Sequence, residues 1–218
     1  MVTLFERLKA DTASAWNAYT DHDFVRGLAV GTLPDQCFRH YLGQDYLFLI
    51  HFARAYALAA YKSDSLADIR QAAGGLSAIV EMEMDLHVKF CADWGLSEDA
   101  MVALPEAAET MAYTRFVLER GAAGDLLDLH VALAPCIVGY AEIGAALADK
   151  ATSDNPYAPW IEMYASTEYQ DVAAAEITQL DKLMESRGGE GRYPALAKTF
   201  DQATRLEIAF WQMGLNAV

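Results

Sequence analysis

Hydrophobic positions recur along most of the chain at the three- and four-residue spacing of α-helices. Leu4, Leu8 and Trp16 lie on one face of a first predicted helix. A second begins after Thr32, which we predict as its N-cap, and runs to about Tyr61. Because this second helix is apolar on most faces, we expect other helices to surround it. No alternation of apolar and polar residues predicts a strand.

The remaining pattern predicts further helices separated by short turns. We place them at about 65–94, with a bend at Gly74-Gly75 and an end at Gly95, and at 105–121 and 125–150. After a loop at 155–159, a short helix ends at Tyr164, and two more follow at 167–186 and 193–216. The sequence therefore predicts an all-α bundle, with one domain over residues 1–218.

Composition narrows the class of partner. Hydrophobic residues make up 54% of the 218, enough for a large core, and the net charge is -15. A surface of this sign repels phosphate backbones, so we expect no direct contact with nucleic acid. The N-terminal segment has no uninterrupted apolar stretch of the kind found in signal peptides. The most apolar segment, His130 to Leu147, contains a proline and a glutamate, so we expect no membrane span.

Three widely spaced cysteines, Cys37, Cys91 and Cys136, match neither a disulfide framework nor a zinc pattern, which suits a reducing cytoplasm. Cys136 follows Pro135 inside an apolar helix, where a proline costs ~3 kcal/mol. Such a distortion is more readily tolerated where it has a use. Tyr140 lies one turn on and shares the face of Cys136, so a thiol and a phenol are predicted to line one pocket. The alternative is that Cys136 is only a small buried hydrophobe. Cys37 and Cys91 lack nearby candidate acids.

Two acidic residues occur in apolar helices. Asp45 shares a face with Phe48, and its carboxylate needs a partner if it is buried. That partner is either a ligand or a structural arginine such as Arg39 or Arg54.

Glu207 is three and four residues before Phe210 and Trp211, which places an acid beside two aromatic rings. Such a lining is how a flat heterocycle is usually held. The alternative is a surface glutamate at the edge of a core stripe.

The segment with Glu81, Glu83, Asp85 and His87 raises the question of a metal site. A di-iron bundle needs Glu-x-x-His on two helices, and this chain has no such motif. We therefore predict a solvated, charged helix face here and no metal.

Taken in order, five segments of this sequence resemble the TenA/thiaminase II family, whose fold is the haem-oxygenase-like helical bundle. They are LPDQCFRHYLGQDYLFL, AYTRFV, LAPCIVGYAEIG, WIEMYASTEY and RLEIAFWQMG. The similarity spans essentially the whole chain, and the cysteine in the third segment indicates the cysteine-containing branch.

The resemblance implies hydrolysis of 4-amino-5-aminomethyl-2-methylpyrimidine (aminomethylpyrimidine below) to the 5-hydroxymethyl compound and ammonia, in thiamin salvage. The resemblance also implies that thiamin itself is cleaved, less readily. It implies a homotetramer with no metal or organic cofactor. The matching pocket positions are Asp45, Phe48, Tyr113, Cys136, Tyr140, Tyr164, Glu207 and Phe210.

Roles for these residues follow from the family's chemistry. Cys136 would add to the pyrimidine ring as nucleophile, Glu207 would exchange a proton with a ring nitrogen, and Asp45 would orient the exocyclic amine. The three tyrosines would position the ring, the leaving amine or the thiol. Phe48 is a departure, because several relatives have tyrosine there, so a hydrogen bond from a phenol is lost.

Two alternatives remain at the level of sequence. One is a cofactor-assisted oxidase or haem-binding protein of the same fold. The other is a non-enzymatic regulator that binds a thiamin fragment.

Overall fold

The computed structural model describes residues 2–149 and 154–217, without the side chains of residues 78, 82, 83 and 86. Its helices are α1 Leu4–Asp11, α2 Ala13–Thr20, α3 Asp23–Ala29, α4 Asp35–Lys62, α5 Leu66–Ser77, α6 Met84–Asp93, α7 Glu98–Val102, α8 Ala108–Ala123, α9 Leu126–Ala148, α10 Ala158–Ala165, α11 Thr167–Arg187 and α12 Tyr193–Leu215. A π-helical turn, Ala78–Glu83, joins α5 to α6. None of the described residues lies in a strand. The all-α prediction is confirmed.

Helix α9 lies at the centre of the bundle, in contact with α8, α10, α11 and α12. It begins where the sequence predicts, because the Asp125 side chain accepts hydrogen bonds from the N–H groups of Leu127 and Asp128. Pro135 lies inside it, as predicted. In the described part of the chain, α9 alone is long and apolar enough to cross a membrane. Of its most apolar segment of 18 residues, 72% is buried inside the bundle.

Helix α4 is another long helix of the core, and it begins at a different residue from the one predicted. Thr32 is not its N-cap, since the helix begins at Asp35 with Pro34 in the cap position. The N–H of Thr32 instead bonds to the carbonyl of Gly27, at 2.9 Å, and closes the turn that ends α3. Gly31 makes that turn feasible with a φ of 69°.

Two predicted helices are broken in the structure. The first is divided into α1 and α2 at Thr12, whose hydroxyl donates to the carbonyl of Leu8. The helix predicted at 65–94 contains the π-helical turn, which lies just after Gly74-Gly75 rather than at it. The short helix α7 was not predicted, and α8 begins at Ala108 rather than at Pro105.

The π-helical turn changes which residues of α6 face the core. A π turn adds a residue to the helical repeat, so the positions after it are rotated relative to an uninterrupted α-helix. His87 is consequently buried against α4, and the prediction that it belongs to a solvated face is wrong. Glu81 and Asp85 are exposed, as that prediction requires. The side chain of Glu83 lies outside the described part.

Candidate active site

A cavity of about 250 Å³ lies between α4, α9, α10 and α11 and is bordered by α5. We call it the active-site cavity. Five of the eight predicted site residues line it: Asp45, Phe48, Cys136, Tyr140 and Tyr164. The other three, Tyr113, Glu207 and Phe210, do not line it but are buried directly behind these residues. The structure thus brings together residues from five separate helices.

Cys136 is half-buried and lines the cavity, whereas Cys37 and Cys91 are fully buried. The thiol of Cys136 lies close enough to the carboxyl group of Glu207 to interact with it. An inert buried hydrophobe would have neither the opening nor the acid beside it. One expectation about the other thiols is wrong: Cys91 does have an acid nearby. Burial, with the charge of Asp45, raises the pKa of Cys91 to about 12, so this thiol is unreactive at neutral pH.

Glu207 is only 1% exposed, so it is not a surface residue. It projects from α12 and accepts a hydrogen bond of 2.8 Å from the Tyr113 hydroxyl on α8. Burial raises the pKa of Glu207 to about 8, and the nearby charge of Asp45 adds to the rise, although hydrogen bonds from Tyr113 and Cys136 oppose it. This carboxyl group therefore gains and loses a proton near neutral pH, as a general acid or base should.

Asp45 is buried and contacts neither predicted arginine. Arg54 bonds to His51 instead. The partners of Asp45 Oδ2 are the Tyr41 hydroxyl at 3.4 Å and His87 Nδ1 at 3.6 Å. Burial raises the pKa of Asp45 to about 7, against the hydrogen bond from Tyr41.

His87 links Asp45 to the backbone of the same helix. Its Nε2 lies 2.9 Å from the carbonyl of Leu42, which can only accept, so Nε2 carries a proton. Burial lowers the pKa of His87, despite that hydrogen bond, and a neutral ring then leaves Nδ1 without a proton. Nδ1 faces Asp45 Oδ2, so this arrangement favours a protonated Asp45 when the cavity holds no ligand. In the described residues, no group of three or more His, Cys, Asp or Glu side chains is placed to hold a metal ion.

Aromatic rings form the walls on both sides. The ring of Phe48 lies 5.1 Å from that of Tyr113 and 5.8 Å from that of Phe210, measured between centroids. Tyr140 and Tyr164 also line the cavity, and their rings pack edge to face at 4.8 Å between centroids. A narrow space between rings, with a carboxyl group and a thiol at its edges, suits a flat heterocycle.

Sequence reasoning missed a buried polar group behind Tyr140. The Tyr41 hydroxyl lies 3.5 Å from the Tyr140 hydroxyl, and Trp160 Nε1 donates to it at 3.3 Å. Tyr41 is one helical turn before Asp45, so the i, i+4 spacing was the signal that could have found it. Trp160 comes from α10, and no spacing within the sequence connects it to α4.

Comparisons with known proteins identify the family of this chain. The profile of the TENA/THI-4/PQQC family matches residues 9–217. An aminopyrimidine aminohydrolase of Halalkalibacterium halodurans is 38% identical, with 92% of this chain and 90% of that protein covered. A crystal structure described as a TenA family transcription regulator from Silicibacter sp. TM1040 is 50% identical. It has a TM-score of 0.93 and covers 97% of this chain and 96% of its own.

A more distant likeness bears on the fold alone. A Shewanella denitrificans domain of unknown function with a heme oxygenase-like fold has a TM-score of 0.74 at 13% identity. It covers 97% of this chain and 92% of its own. The predicted haem-oxygenase-like bundle is confirmed. Since the family profile matches almost the whole chain, the protein belongs to the TENA/THI-4/PQQC family.

Proposed function

We propose that this protein is an aminopyrimidine aminohydrolase (thiaminase II). It converts aminomethylpyrimidine to the hydroxymethyl compound and ammonia in thiamin salvage. The observation that carries the proposal is the position of Cys136 at the wall of an aromatic cavity, with the buried carboxyl group of Glu207 beside it. The similarity to the Halalkalibacterium halodurans aminohydrolase supports it.

The nucleophile is the thiol of Cys136, activated by Glu207. An ionised Glu207 with a pKa of about 8 is a stronger base than an ordinary carboxylate, so it accepts the thiol proton as sulfur attacks the ring. The same proton is then available to a ring nitrogen, which gains electron density when the carbon–sulfur bond forms. Tyr113 holds the carboxyl group in place through its 2.8 Å hydrogen bond.

Asp45 binds and orients the substrate in this proposal. Its carboxyl group, in contact with Tyr41 and His87, hydrogen-bonds to the exocyclic amine and the neighbouring ring nitrogen. The rings of Phe48 and Tyr140 enclose the heterocycle. Because Phe48 has no hydroxyl, its contribution is limited to contact with the ring face.

The complete reaction balances without an external oxidant or reductant. After sulfur adds to the ring, the amine on the methylene carbon, in its protonated form, takes the electron pair of the breaking carbon–nitrogen bond and leaves as neutral ammonia. Water adds to that carbon, loses a proton, and the carbon–sulfur bond breaks to release Cys136. The pyrimidine ring accepts an electron pair when sulfur or water adds and gives it back when ammonia or the thiolate of Cys136 leaves, so we propose that no metal or organic cofactor takes part.

We also propose a cytoplasmic homotetramer, with no membrane or nucleic acid partner. Exposed apolar side chains support an interface between subunits: Tyr61 at the end of α4 is 86% exposed, and Leu66 at the start of α5 is 60% exposed. A closed symmetric assembly would cover them.

The proposal is tested by incubating purified protein with aminomethylpyrimidine. We expect ammonia and the hydroxymethyl product in equal amounts, measured by a coupled assay and by mass spectrometry. A regulator would bind the pyrimidine without turning it over. An oxidase would consume oxygen or show the absorbance of a bound cofactor. Either result without ammonia release would contradict the proposal.

A further inference from the structure

The junction between α10 and α11 forms one edge of the active-site cavity. Tyr164 near the end of α10, Ser166 between the two helices and Glu168 in the first turn of α11 all line the cavity. Glu168 is also exposed to solvent, so its side chain lies where the cavity opens. Asp45 is only 5% exposed and lies in the interior. The cavity therefore has one carboxyl group at its mouth and another inside.

The charges along the cavity wall are negative. Among the described residues that line it, Asp45 and Glu168 are the only aspartate and glutamate, and none is a lysine, an arginine or a histidine. Because burial raises the pKa of Asp45 to about 7, its carboxyl group is only partly ionised at neutral pH. Glu207, buried behind the wall, has a pKa of about 8 and is mostly protonated there. The negative charge at the mouth belongs to Glu168, and it favours a ligand group that is cationic.

Glu168 has no structural partner within the part of the chain that the structure describes. Its carboxylate forms neither an ion pair nor a hydrogen bond there. The glutamate in the first turn of α1 is used differently, since Glu6 accepts a hydrogen bond from the N–H of Thr3 and completes a capping box. At α11 the capping bond is made by Ser166, which accepts from the N–H of Tyr169, and Glu168 takes no part in it. Apart from the favourable interaction of any first-turn acid with the helix dipole, the charge of Glu168 is available to a ligand.

The substrate and the product of the proposed reaction differ in charge. Aminomethylpyrimidine carries a primary alkyl amine, which is protonated at neutral pH like the side chain of lysine, whereas the hydroxymethyl product carries an uncharged alcohol at that position. The amine must also be protonated when the carbon–nitrogen bond breaks, because it then leaves as neutral ammonia. A carboxylate that holds the ammonium group would bind the substrate more tightly than the product and would keep the leaving group protonated.

From the position of Glu168 at the mouth of the active-site cavity, we infer that its carboxylate binds the protonated amine of the substrate and so selects the charged substrate over the neutral product. The inference rests on the proposed function, in which Asp45 holds the exocyclic amine and the neighbouring ring nitrogen. Glu168 is then the carboxylate of the cavity lining that remains for the aminomethyl group. Once the amine has been replaced by an alcohol, this contact is lost and release of the product is favoured.

The test removes the charge of Glu168 and keeps the size of its side chain. We expect Glu168→Gln to lower kcat/KM for aminomethylpyrimidine about three- to tenfold, the effect of one charged contact at a partly open site. The inhibition constant of the hydroxymethyl product should stay within about twofold, because the alcohol carries no charge. Asp171→Asn is the matched control. It removes one charge from an exposed position of the same helix that does not line the cavity, and it should change neither constant. Equal losses for the amine and the alcohol in Glu168→Gln, or an unchanged kcat/KM, would overturn the inference.

The response to salt is a readout that a purely structural role of Glu168 would not move. Raising the concentration of NaCl from about 0.02 M to about 0.5 M screens the contact between the carboxylate and the ammonium group. The KM for aminomethylpyrimidine should therefore rise more in wild type and in Asp171→Asn than in Glu168→Gln. The same rise in all three proteins would contradict the assigned contact.

Binding measurements separate this inference from the proposed function. If wild-type protein releases no ammonia from aminomethylpyrimidine, the proposed function fails, and titration calorimetry with the two pyrimidines then decides the inference. Tighter binding of the aminomethyl than of the hydroxymethyl compound by wild type, with this preference lost in Glu168→Gln, supports it. Equal affinities in wild type, a preference that Glu168→Gln retains, or no binding of the aminomethyl compound would overturn it.

Discussion

The hydroxyl group of Tyr113 on α8 donates a 2.8 Å hydrogen bond to Glu207 Oε1 on α12, and both residues are almost completely buried. The same carboxyl group interacts with the thiol of Cys136 on α9. Glu207 thus joins three helices at the point where the thiol reaches the cavity. In the proposed function, this position lets Glu207 accept the thiol proton of Cys136.

Replacement of Glu207 by glutamine tests whether Glu207 accepts the thiol proton of Cys136. The amide oxygen of glutamine can still accept the hydrogen bond from the Tyr113 hydroxyl. The amide cannot act as a base for the thiol proton. We expect kcat to fall by ~10²–10⁴, the usual contribution of general acid–base catalysis, with a smaller change in KM. Steady-state ammonia release measures both constants. A Glu207→Gln enzyme with normal kcat would show that this residue only packs or binds.

The same substitution should change how stability depends on pH. The pKa of Glu207 is raised from its ordinary value of 4.5 to about 8, so the folded state binds this proton more tightly than the unfolded state. The free energy of unfolding of the wild type should therefore fall as pH rises from about 4.5 to about 8.

Glu207→Gln removes this loss, because glutamine does not titrate. The free energy of unfolding of the variant minus that of the wild type should therefore be about 1 kcal/mol or more higher at pH 8.5 than at pH 5. Urea unfolding at the two pH values measures this difference. A stability difference that does not change with pH would mean that the buried carboxyl group titrates normally.

Particular residues show how far the sequence could predict this site. Cys136, Tyr140 and Pro135 are close together in one helix, so helical spacing placed them correctly. Asp45 was recognised as a buried acid, but its partners were not, because His87 reaches it from another helix. No pattern in the sequence predicts the π-helical turn that rotates His87 towards the core. The alternative of an arginine partner does not hold, because Arg39 and Arg54 lie on α4 itself, six and nine residues from Asp45, outside the i, i+3 and i, i+4 spacings that bring side chains of one helix together.

Asp45 should matter for binding as well as for rate. Its carboxyl group lines the cavity and forms no ion pair with Arg39 or Arg54 in the described structure, so it is available to a substrate. We expect Asp45→Ala to raise KM about tenfold to a hundredfold, as for the loss of a hydrogen bond to a charged group, and to lower kcat. Asp171→Ala, at an exposed position on α11, is the control and should leave both constants unchanged. An unchanged KM in Asp45→Ala would exclude the assigned orienting role.

The state of assembly is a separate prediction. Light scattering at micromolar concentration and moderate salt should give four times the chain mass of 23.9 kDa. The net charge of -15 on each chain opposes association, so a large apolar interface must overcome it. Replacement of the exposed Tyr61 by a charged residue should weaken the tetramer if α4 contributes to that interface. A mass near that of one chain would contradict the prediction.

Cys136 gives the most direct test of the account. Ammonia release from aminomethylpyrimidine should be compared between wild type, Cys136→Ser and Cys37→Ala, where Cys37 is buried outside the cavity. We expect many turnovers by wild type and Cys37→Ala. Cys136→Ser should lose nearly all turnover, with an unchanged circular dichroism spectrum, because a serine hydroxyl is a poorer nucleophile at neutral pH. A Cys136→Ser rate above about a tenth of the wild-type rate would contradict covalent catalysis by this thiol.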